Sequence, residues 1–183
     1  MLLLKILDGG NKMILIKRLL LIPIVLLICS FILVGCKDNN PEIKTVITLG
    51  NITKEEYQQI SDSSKPQGVS INDLKKLYID VKIINSKKSE DRTIIIPDLS
   101  IIINGHDRVR TVGGGNTEQN NIGTDDTAES TAFVLFDYRG LSEQDIRNLY
   151  SKSEIKIEYK LKNSNMVHSK VSIGKDLMIN YKN

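Results

Sequence analysis

Residues 77–83 alternate without a break: Leu77, Ile79, Val81 and Ile83 fall on one side, and Tyr78, Asp80 and Lys82 on the other. A period of two is the signature of a strand with one buried face, and it excludes an amphipathic helix over the same residues. One apolar face obliges the chain to supply others that cover it. The same rhythm recurs at residues 43–49 and 155–161, and after the polar turn 162–165 a partner follows at 166–173. Residues 130–137 set Ala132, Val134 and Phe136 against Phe133 and Leu135. Being apolar on both sides, that strand is predicted to be central. With no Trp, three Phe and 5% aromatic residues overall, the core must come from branched aliphatics, which favour strands.

Residues 93–96 and 99–103 read as further strands around Pro97, which cannot donate a ladder hydrogen bond and marks a bulge or an edge. Asn104-Gly105 is the strongest hairpin signal in the chain and predicts that residues 106–112 return antiparallel to 99–103. Thr53-Lys54-Glu55-Glu56 has the spacing of a capping box ahead of Tyr57 and Ile60. Ser142-Glu143-Gln144-Asp145 starts a second short helix, with acids in its first turn and Ile146 and Leu149 to pack. About seven strands with one or two short helices predict a mostly β, immunoglobulin-like sandwich over residues 43–183.

The amino-terminal segment has a different composition. Lys17-Arg18, the apolar stretch 19–33 and Gly35-Cys36 supply in order the positive start, apolar core and small cut site of a secretory signal. Pro23 and the interruption at Cys29-Ser30 argue against a permanent spanning helix, which needs about 20 apolar residues. Asp8-Gly9-Gly10-Asn11 breaks the residues before it in a way no signal peptide requires, so Met13 is the expected start. Leu33-Val34-Gly35-Cys36 resembles the lipobox of bacterial lipoproteins, with Leu33 in the branched position, Gly35 before the cut and Cys36 as the invariant sulfur. The resemblance implies cleavage between Gly35 and Cys36 and a diacylglyceryl anchor on the Cys36 thiol. Residues 1–35 would then be the signal peptide and 36–42 a polar tether. Two acyl chains at about 0.8 kcal/mol per buried CH₂ anchor stably where one is marginal.

Of 25 basic and 22 acidic residues, Lys5, Lys12, Lys17, Arg18 and Asp8 precede Cys36, so residues 36–183 carry 21 of each. A neutral chain without a basic block has no electrostatic footprint for nucleic acid or for an anionic lipid surface. Cys29 leaves with the signal and Cys36 is taken by lipid, which excludes a disulfide or a cysteine metal site in the mature chain.

Chemical motifs are sparse. His106 and His168, the only histidines, have no second His or Cys at ligand spacing and read as surface residues. No Gly-x-Ser-x-Gly elbow occurs. Gly113-Gly114-Gly115-Asn116 lacks the Lys-Ser/Thr of a P-loop. Having little to bury, residues 113–129 are expected to form a mobile loop. That loop gathers Asn116, Glu118, Asn120, Asn121, Asp125 and Asp126. These are oxygen donors a hard cation such as calcium accepts, although the spacing fits no EF-hand. Asn116, Glu118, Asp125 and Asp126 are therefore the candidate contact residues, with calcium as the alternative use of the same loop.

The order of elements is similar to that of the immunoglobulin-like, telokin-like domains of small Gram-positive lipoproteins. The similarity is carried by the 77–85 strand ending in Ile84-Asn85-Ser86, the long loop before residues 130–136 and the 155–161 strand. It implies an envelope role and carries over no catalytic residue, metal or cofactor. The expectation is a non-enzymatic lipoprotein that presents a binding or structural module to an envelope protein at the outer face of the cell membrane. The alternative is a ligand- or metal-binding accessory lipoprotein of a transporter.

Overall fold

Leu77, Ile79, Val81 and Ile83 are completely buried while Tyr78, Asp80 and Lys82 are half exposed, so the alternation sorts this strand as expected. The computed structural model describes residues 40–119, 125–163 and 165–181. Cys36, Gly35, Asn120 and Asn121 lie outside the described residues.

Among the described residues the chain is mostly β, with eight strands in two sheets. In order they are β1 (Glu42–Asn51), α1 (Lys54–Gln59), β2 (Leu74–Ile84), β3 (Ser89–Ile95), α2 (Leu99–Asn104), β4 (Thr111–Gln119), β5 (Thr127–Asp137), α3 (Glu143–Leu149), β6 (Glu154–Leu161), β7 (Met166–Ser172), α4 (Ile173–Asp176) and β8 (Met178–Asn180). One sheet runs β4-β5-β2-β1-β8 and the other β3-β6-β7. Strands one, two, five and four on one side and three, six and seven on the other make the division of an immunoglobulin constant-type sandwich. The added β8 pairs parallel to β1. Gly50 permits that approach, because a Cβ there would stand 2.5 Å from the Asn180 carbonyl oxygen.

β2 and β5 are antiparallel from Leu74↔Asp137 to Ile84↔Thr127 and form the middle of the larger sheet. Val134 and Phe136 are fully buried and face the three-stranded sheet through Ile94, Ile155 and Ile157. Leu135, on the opposite face, is also buried. Residues 52–73 fold back over that end of the sheet, and Ile52, Ile60, Leu74, Val112 and Leu135 form a second apolar cluster there. This cover explains the two-sided apolarity of β5. α1 starts with the expected capping box: Glu56 N–H donates to Thr53 Oγ1 at 3.1 Å, and Thr53 N–H to Glu56 Oε2 at 2.8 Å. α3 repeats it with Ser142 and Asp145.

Three expectations are corrected. Residues 99–103 are helix α2 and not a strand, and Asn104-Gly105 makes no two-residue hairpin. Asp98 Oδ1 accepts from Ser100 and Ile101 N–H at 2.8 and 3.2 Å, capping the helix directly after Pro97. Leu99 and Ile103, four residues apart, then share its buried face. The Asn104 side chain instead accepts from the backbone N–H groups of Arg110 and Thr111, and Gly105 has φ −73°, so the positive φ of a type I′ turn is absent. Residues 106–110 consequently form no strand, and the return begins at Thr111. Second, Gly113, Gly114, Gly115, Asn116 and Glu118 lie in strand β4, paired with β5, where the sequence suggested a mobile loop. Their cross-strand neighbours explain the glycines: a Cβ on Gly114 would meet the Phe133 carbonyl oxygen at 2.9 Å, and one on Gly115 the Phe133 ring at 3.0 Å. Third, among the described residues four short α-helices are present where one or two were expected.

Candidate interaction site

β4 is the edge of the five-stranded sheet, beyond the reach of the three-stranded one. Asn116 stands opposite Ala132, and Glu118 opposite Ser130. Directly opposed residues share a face, and both Ala132 and Ser130 are buried on the core side. Asn116 and Glu118 thus point to the inner face of the sandwich, yet both are exposed. Among the described residues the facing sheet ends at β3, and no strand covers them. Between them and the β3–α2 corner lies a cleft of about 300 Å³, lined among others by Pro97, Asp98, Ser100, Asn116, Glu118 and Phe133. Among the described residues, Asp98 and Glu118 are the only charged residues in its lining.

The other two candidate residues take a different role. Asp125 accepts at its backbone carbonyl from Ser86 Oγ and Arg92 Nη1, both at 3.0 Å. The Asp126 carbonyl accepts from Ser86 N–H at 2.9 Å. The start of β5 is thereby fastened to the turn after β2, around the buried Ser86 and Arg92. The Asp125 carboxylate reaches β4 only through Gln119, which donates to it at 3.0 Å. Asn116 and Glu118 are brought together at the cleft, while Asp125 and Asp126 are anchors beside it. Among the described residues no group of three or more His, Cys, Asp and Glu is placed to hold a metal ion.

At the far end of β5, four ion pairs among Asp107, Arg108, Arg110, Asp137 and Arg139 build a network invisible to motif reading, because its members are scattered. Arg110, only 2% exposed, grips Asp107 with two bonds of 2.6 Å and donates to the carbonyls of Asp137 and Arg139 at 2.8 and 3.0 Å. Asp137, equally buried, receives both guanidinium arms of Arg139 at 2.9 and 2.8 Å. Burial alone would raise the Asp137 pKa. The Arg139 side chain and backbone N–H, with Arg108 behind them, reverse this and hold it at about 2. Every charge here is answered, so the network fastens the α2–β4 link to the end of β5 and leaves no free acid or base.

The outer sheet face has a shallower groove of about 240 Å³, lined by Thr48, Gly50, Asn51, Lys76, Tyr78 and Asn180. Lys76 is already occupied: Nζ lies 2.6 Å from Glu56 Oε1 and 4.8 Å from the Phe133 ring centroid. His106 and His168 are on the surface, as expected, and His168 Nδ1 lies 3.2 Å from Glu158 Oε1. No helix among the described residues is long and apolar enough to cross a membrane. Compared with known proteins, the chain matches no family model, no curated protein and no solved structure at a significant level.

Proposed function

We propose that this protein is a lipoprotein of the cell membrane, anchored by a diacylglyceryl group on Cys36, whose sandwich acts outside the membrane as a non-enzymatic module that binds an envelope protein. The observation that carries the binding half of this reading is the uncovered inner face of β4. A five-stranded sheet over a three-stranded one leaves Asn116 and Glu118 without a covering strand, next to a polar cleft. Sites of this kind, set at the rim of a rigid scaffold, are where recognition concentrates. The anchoring half is supported by Leu33-Val34-Gly35-Cys36 behind Lys17-Arg18.

Metabolic labelling with a fatty-acid analogue, together with a photo-crosslinking residue at position 116 in intact cells, tests both halves. The wild type should take up label and Cys36→Ala should lose both label and normal processing. Position 116 should give discrete protein adducts that the same residue at His168, on the opposite sheet, does not. Unchanged labelling of Cys36→Ala rejects the anchor; equal adducts at the two positions reject the cleft as the binding face.

A further inference from the structure

We propose that the partner's contribution at this site is an extended segment with basic side chains at alternate positions, added as a sixth strand along the free edge of β4. The inference rests on the binding reading above and specifies its ligand. Among the described residues the two sheets have four edge strands, β4, β8, β3 and β7. Exposed edges invite pairing with other chains, and folded proteins blunt them with short strands, bulges, prolines or charges. β8 is three residues long. β3 is broken by a bulge between Glu90 and Thr93, where Asp91 takes φ 49°. β7 carries His168 and Lys170. From Gly113 to Gln119 β4 has one such device, the negative charge of Glu118 on the inner face: its one irregularity lies before Gly113, it holds no proline or basic residue, and residues 114–119 are all exposed.

The two faces of such an added strand would meet different surroundings. Side chains on the inner side would enter the cleft beside Glu118 and Asp98, whose charges are both negative. Those on the outer side would lie next to Gly115, which has no side chain to cover the half-exposed Phe133 ring, and next to Thr117, whose hydroxyl is 2.6 Å from that of Thr131. A segment alternating basic residues with small apolar ones satisfies both sides while its backbone bonds to β4. Strand addition works in this way, with main-chain bonds giving affinity and alternate side chains giving selectivity.

The test uses the full chain in detergent and a labelled synthetic peptide, Thr-Lys-Val-Lys-Val-Lys-Thr, with two controls: Glu in place of each Lys, and the Lys peptide N-methylated at alternate backbone positions. Binding is followed by fluorescence anisotropy, and β4 amides by hydrogen exchange. The Lys peptide should bind and slow exchange within residues 113–119. Affinity should fall at least tenfold for the Glu peptide, for the N-methylated peptide and for the exposed-residue variant Glu118→Lys. Binding that survives N-methylation would show simple charge attraction and overturn strand addition. Absence of binding at millimolar peptide, protection on another strand, or a dimer whose β4 amides are protected without peptide would overturn it as well. If adducts at position 116 persist while the peptide result fails, strand addition is lost and the binding module stands.

Discussion

Tyr150 donates its phenol hydrogen to the carbonyl oxygen of Leu99 at 2.8 Å, joining the end of α3 to the first residue of α2 through the buried core. The two short helices make the connections on either side of the β4–β5 hairpin, so this bond ties the β3–β4 corner to the β5–β6 corner. Burial pushes the Tyr150 phenol pKa well above its ordinary value, which favours the neutral donor. Tyr150→Phe keeps the ring and removes one buried hydrogen bond. Urea unfolding should show a loss of about 1–2 kcal/mol with an unchanged m-value; a neutral result would mean that the hydroxyl holds nothing together.

Acid stability should depend on Asp137. Its folded-state pKa is depressed to about 2, so its ion pairs stabilise the fold above the ordinary carboxylate pKa, and that stability is lost as pH falls towards 2. The contribution is about 2 kcal/mol at neutral pH. Asp137→Asn should lower stability by roughly that amount at pH 7 and flatten the acid limb between pH 4 and 2. Some slope should remain, because hydrogen bonds from Ser70 and Ser142 also hold Asp73 and Asp145 low. An undiminished slope in the variant would place the acid sensitivity elsewhere.

Neighbouring glycines in β4 should respond in opposite directions. A Cβ at Gly113 makes ordinary contact with Leu135 at 3.5 Å, while one at Gly114 would press on the Phe133 carbonyl oxygen at 2.9 Å. Gly113→Ala should be neutral or stabilising by about 0.5 kcal/mol through reduced chain entropy. Gly114→Ala should cost about 1–3 kcal/mol, since backbone must shift. Equal effects in thermal melts would argue that these residues are not held in a paired strand.

Asp98→Ala separates helix from hairpin at residues 99–104. Two backbone N–H groups lose their acceptor, and stability should drop by about 1 kcal/mol. In a hairpin the same change would be nearly silent, because Asp98 would cap nothing.

The strands of the sandwich were legible wherever side chains alternate, as in Leu77 to Ile83 and in Ile155, Ile157 and Tyr159, because burial there follows from the two-residue period alone. Both capping boxes were legible for the same local reason. Residues 99–104 misled because Asn104-Gly105 is a turn signal in sequence, while the deciding bond from Asp98 and the packing of Leu99 and Ile103 depend on the core around them. β4 misled because glycines carry no pattern; Phe133, on the neighbouring strand, dictates Gly114 and Gly115. Asn116 and Glu118 were marked as contact residues through their polarity. That they share an open cleft with Asp98 follows from one sheet having more strands than the other, which no local window contains.

The pairing of β2 with β5 also sets an order of events during synthesis. β2 finds β1 at once, because the two are joined in sequence, but its other edge must wait until β3, α2 and β4 have been made and Asp137 has emerged to meet Leu74. Contacts that span so much chain form slowly. Until β5 is made, that edge of β2 lacks the partner it has in the folded sandwich. Closure of the sandwich, and with it the cleft along β4, belongs to the complete polypeptide.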